Sequence, residues 1–195
     1  MSPKVLVSGV VAGIALFMWG FLTHMVIPLG ETGFNYLPQD KEQQVLAATQ
    51  AVIKEPGLYI LPGYDRSKTG EELNEELEGW MKSYEEGPNA FLVYHPTGIV
   101  PMSPATLGIQ LLCDLGTGVI LAFVVSLIAQ QGMGTKVGAV IMIGILTFLE
   151  TDMPYANWWR FPTDYTAAQL LDKVGGLLII GLILAAMIRK KPEEE

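Results

Sequence analysis

The sequence predicts a membrane all-α protein, a bundle of four transmembrane helices with both termini cytoplasmic and a small extracytoplasmic α+β cap inserted between helices one and two. Three observations lead there. Half of the 195 residues are apolar and 16% are charged, where soluble domains carry about a quarter, and mean hydropathy is +0.37. Four apolar stretches approach or exceed the length needed to cross a hydrocarbon core of about 30 Å. The acidity is concentrated in residues 30–104, which hold 12 acids and 5 bases.

Composition also excludes several classes of function. A net charge of −8 repels a phosphate backbone, so no nucleic-acid partner is expected. A single cysteine, Cys113, rules out an intrachain disulfide, a CxxC redox pair and a cysteine zinc site.

The first span falls within residues 1–29, where an uncharged run from 5 to 27 follows Lys4. That run is longer than the apolar core of a cleaved signal peptide and no A-x-A site follows it, which predicts an uncleaved signal anchor. The second span, 105–130, begins after Pro101 and Pro104, residues suited to helix entry. The third, 134–151, is short and would have to thin the bilayer locally. The fourth, 165–188, precedes Arg189, Lys190 and Lys191 in the charged tail 189–195. Lys4, Lys136 and that basic cluster share one side, so the positive-inside rule places the termini in the cytoplasm. The expected location is the plasma membrane, or the inner membrane of a Gram-negative cell.

Residues 30–104 read as helix, strand, helix, strand. Asp40-Lys41-Glu42-Gln43 has the form of a capping box, and Val45, Leu46, Val52 and Ile53 supply one apolar face through about Lys54. A short apolar run, 58–61, closes at Pro62-Gly63. Thr69 opens a second helix with Leu73, Leu77, Trp80, Met81 and Tyr84 on one side, and 90–95 reads as a second strand. So small a cap is expected to rest on the bundle or on a partner. Glu71, Glu72, Glu75, Glu76 and Glu78 lie on a helix, where a solvated face suits them better than a calcium loop.

Ionisable residues inside spans are costly and mark candidate sites. Thr106, Gln110, Asp114 and Thr117 form one stripe on the second span, and Thr166, Gln169, Asp172 or Lys173, and Gly176 form another on the fourth. Both stripes occupy the outer halves, which predicts an outward-opening crevice with His24, Glu150 and Asp152 at its rim. His24, Asp114, Glu150, Asp152 and Asp172 are therefore the candidate cation or proton ligands. An ion pair between Lys173 and Asp114, or Glu150, is the structural alternative. Gly9/Gly13 and Gly134/Gly138 form two GxxxG motifs for close helix packing. The external loop 152–164 carries an aromatic belt, in which Trp158, Trp159 and Arg160 are candidate contacts for a partner or a lipid headgroup.

The topology resembles the claudin-like arrangement, but the paired loop cysteines of that family are absent. No motif for a nucleotide, haem or metal cofactor occurs, so the cofactor is unknown and no catalytic residue is assigned. Three functions remain. The chain is expected to be a non-catalytic accessory or assembly subunit, binding another membrane protein or a second copy through its cap and aromatic loop. The alternatives are a small cation or proton carrier or sensor, and a membrane enzyme acting on a lipid or quinone.

Overall fold

Two of the four long helices begin at matched local signals. In the computed structural model, which describes residues 1–189, the Ser2 hydroxyl accepts from the Val5 amide at 3.4 Å and Pro3 takes the first helical position of α1 (Pro3–Phe21). Ser103 does the same for α4 (Pro104–Leu127), accepting from the Thr106 amide at 3.1 Å with Pro104 next in line. Between them lie α2 (Gln39–Val52), β1 (Gly57–Leu61), α3 (Gly70–Glu86) and β2 (Ala90–Tyr94), and after them come α5 (Met133–Trp158) and α6 (Thr163–Met187). Four of these helices are long and apolar enough to cross a membrane: α1 with its terminal turn, α4, α5 and α6.

The chain divides into two compact units, one comprising residues 1–35 with the chain from Pro101 onward, the other Tyr36–Val100. In the first, α1 packs on α4 and on α6, and α5 packs on α6. The α1–α4 crossing is held close by glycine. A Cβ on Gly13 would stand 2.5 Å from Leu115 Cα, and one on Gly9 would stand 2.6 Å from Val119 Cα. Gly118 meets the α1 backbone from the other side. An apolar core joins Ala12 of α1, Leu121, Ala122 and Val125 of α4, Val140 of α5, and Leu177, Ile180 and Leu184 of α6. These come from the first halves of α1 and α5 and the second halves of α4 and α6, so the core gathers at one end of the bundle.

Two expectations need correction here. The third span does not stop at Thr151; α5 continues through Pro154 to Trp158, 26 residues or about 39 Å. Pro154 lacks the N–H that would bond the Glu150 carbonyl, yet the helix continues, and the Trp159 and Phe161 amides both donate to Tyr155 O, closing its end. Residues 152–158 of the predicted aromatic loop are thus helical, and α6 takes up 163 and 164. The second GxxxG motif makes no close backbone approach among the described residues, since a Cβ on Gly134 or Gly138 would meet nothing within 4 Å.

In the second unit β1 and β2 pair antiparallel, with Gly57 opposite Tyr94 and Leu61 opposite Ala90. Leu73, Leu77, Trp80 and Tyr84 form the half-buried face of α3, while Met81 is exposed. The Trp80 indole donates to Pro62 O at 3.0 Å and packs against Tyr64 and Tyr84. The predicted capping box at Asp40 is not formed. Pro38 is the N-cap instead, its fixed φ favouring helix entry and its carbonyl accepting from Lys41 and Glu42, which places Asp40 inside α2. Neither α2 nor α3 buries a single residue.

Candidate functional site

The polar residues of the long helices do not converge on one site. On α4, the Gln110 side-chain amide donates to both carboxylate oxygens of Asp114, at 3.1 and 3.2 Å, one turn apart on the same face. Asp114 is 8% exposed and its backbone lies against Gly13 of α1. On α6, Trp19 of α1 donates its indole N–H to the Asp172 carbonyl at 3.0 Å, its ring resting on Gly175 and Gly176. The Asp172 carboxylate keeps one oxygen, Oδ1, buried with no hydrogen-bond partner. Helix α1 therefore touches α4 at Asp114 and α6 at Asp172.

Lys173 turns to α5. Its Nζ lies 2.6 Å from Asp152 Oδ2, and the Thr151 hydroxyl donates to that same oxygen at 2.9 Å. The expected Lys173–Asp114 pair is thereby overturned. The reason is the length of α5: once the helix runs past Thr151, Asp152 stands on it and faces the adjacent α6, whereas Asp114 is occupied by Gln110. Glu150 is exposed.

His24 sits in a π-helical turn, Leu22–Val26, that ends α1. Its Nδ1 lies 3.0 Å from both the Gly20 carbonyl and the Thr23 hydroxyl, and its ring packs against Gly30, whose amide donates to Thr23 O. This histidine shapes the turn that brings the chain back towards α6. Gly33, with φ +86°, follows, and Phe34 meets Tyr165 edge-on at 5.7 Å. Tyr155, Phe161 and Tyr165 complete a run of ring contacts at 5.3 and 5.4 Å. Trp158 is 72% exposed at the end of α5, Trp159 is half-buried, and Arg160 is exposed with φ +56°.

Among the described residues, no three His, Cys, Asp or Glu side chains converge as a metal site. The five candidate ligands are dispersed over separate contacts. Sequence reasoning missed the structural roles of Trp19 and Phe34. A tryptophan within a span did carry a signal, because its N–H needs an acceptor away from water. Lys136, expected only to flank a span, is 3% exposed and donates to Ile188 O at 2.8 Å. No known family model, curated protein or solved structure matches this chain.

Proposed function

We propose that this multi-pass protein is a non-catalytic accessory or assembly subunit, with cytoplasmic termini, that binds a larger membrane protein through its small domain and the aromatic end of α5. One observation carries the reading. Helix α2 buries no residue, and Val45, Leu46 and Val52 are 53%, 57% and 81% exposed. The small domain contributes few side chains of its own to cover them, and such a face is satisfied by a partner. Trp158 and Arg160, of residue types favoured at interfaces, support the second contact.

Purification from native cells in mild detergent, followed by mass spectrometry, tests this. A stoichiometric membrane partner is expected, retained by the native chain and lost from a V45S/L46S/V52S variant of unchanged helicity. Recovery of a homogeneous chain without a partner, or equal retention by the variant, would refute it.

A second reading, a proton or cation carrier, draws support from Asp172, whose buried Oδ1 has no partner. Asp172→Asn would then abolish ion-dependent transport in vesicles without loss of folding. Unaltered transport, or none by the native chain, would count against it.

A further inference from the structure

We propose that the recess where Lys136 meets Arg189 binds the phosphate of an anionic phospholipid headgroup. The recess has a volume of about 400 Å³, within the range of about 300–1,000 Å³ of small-molecule sites. Ala129, Met133 and Ala185 form its apolar walls, and Gln131 also lines it.

Lys136 is 97% removed from solvent, yet its Nζ is engaged by a neutral acceptor, the Ile188 carbonyl at 2.8 Å. Among the described residues no carboxylate lies within ion-pair distance of it. A buried ammonium without a counter-charge is expensive, so an anion at this place relieves a cost the fold otherwise carries. Part of the lysine's role is already explained, because it complements the carbonyl end of α6. That role uses one of its three N–H donors. Arg189 is similarly placed, its Nε donating to the Ala186 carbonyl at 2.8 Å while its terminal nitrogens have no partner among the described residues.

Two cations with several free donors match the acceptor oxygens of a phosphate. The site's position selects a lipid as the bearer of that phosphate. It lies at the end of two membrane-length helices, and exposed Met133 and Ala186 beside it continue the apolar surface along which acyl chains run. Basic recesses between spans at headgroup level bind anionic lipids on this principle.

The test is native mass spectrometry of the full chain in nonionic detergent, titrated with phosphatidylglycerol and, separately, zwitterionic phosphatidylcholine. Phosphatidylglycerol is expected to bind more tightly, and Arg189→Gln to weaken it about fivefold, the loss of one cation near a headgroup. Arg189 is exposed, so this variant folds even if Lys136→Met does not. Equal binding of the two lipids, or undiminished phosphatidylglycerol binding by Arg189→Gln, would overturn the proposal. Displacement of the lipid by millimolar inorganic phosphate would assign the recess to a free anion and overturn the lipid assignment.

Discussion

Lys173 and Asp152 join α6 to α5 through an ion pair of 2.6 Å, with Asp152 13% and Lys173 31% exposed. The Thr151 hydroxyl supports the same carboxylate oxygen at 2.9 Å. Removing one charge leaves the other half-desolvated, which is more costly than losing the pair. Lys173→Met is expected to destabilise the bundle by about 1–3 kcal/mol, between the values for exposed and fully buried pairs. The K173M/D152L double variant should lose less than the sum of the single changes, and the reversed pair K173D/D152K should recover part of the loss. Thermal unfolding in detergent, arranged as a double-mutant cycle, measures this; additive losses would show that the pair contributes nothing.

The α1–α4 contact gives a comparison between glycines. A methyl on Gly13 would press on the backbone of Leu115 at 2.5 Å and on the Asp114 carbonyl at 2.7 Å, neither of which can rotate away. Gly13→Ala should therefore cost about 1–3 kcal/mol by forcing the helices apart. Gly116→Ala meets nothing within 4 Å and should stay within about 0.5 kcal/mol of the native protein. Melting temperatures of the two variants under one condition decide the matter, and equal shifts would contradict the packing described.

Trp19 couples α1 to α6 through a hydrogen bond and through the flat surface of Gly175 and Gly176. Replacing it with Phe keeps a ring but removes the donor. A loss of about 1–2 kcal/mol is expected, from the missing bond and the smaller ring. Trp158→Phe, at an exposed position, is the control and should leave stability unchanged. A larger effect at Trp158 than at Trp19 would reverse this assignment.

The small domain should respond to acid. Lys68 Nζ lies 2.9 Å from Glu76 Oε2, and the Asp65 amide donates to Glu76 Oε1 at 3.2 Å. The bond from Lys68, then the Asp65 amide, hold the Glu76 carboxyl below its usual range. Side-chain and backbone bonds from Ser67 do the same for Asp65. A carboxyl whose pKa is depressed by folding contributes stability above its unfolded value and loses it as pH falls through the folded value. The domain is expected to loosen below the ordinary carboxylate range near pH 4, with Glu76→Gln removing part of that dependence. Trp80 fluorescence followed against pH reads it out, because Glu76 and Trp80 line the same recess on α3. Identical acid profiles for the native chain and Glu76→Gln would exclude the contribution.

Much of the architecture was legible because its signals are local. Pro104 at the start of α4, the apolar lengths of the spans, and the Pro62-Gly63 break in the small domain each act within a few residues. The end of α5 was not legible. An interior proline commonly ends a helix, yet α5 continues through Pro154 and closes where the Tyr155 carbonyl accepts from Trp159 and Phe161. Asp40 misled for a related reason, since Pro38 supplied the helix start two residues earlier.

By itself, then, the sequence determined the number and character of the spans, the order of elements in the small domain and the helix faces carrying polar residues. These follow from hydrophobic length and periodicity, which every residue expresses alone. Only the tertiary structure decided which polar groups meet. Asp152 takes Lys173, and Lys136 closes the end of α6. Such partnerships depend on the rotation of each helix about its axis and on where it ends, and here α5 packs on α6.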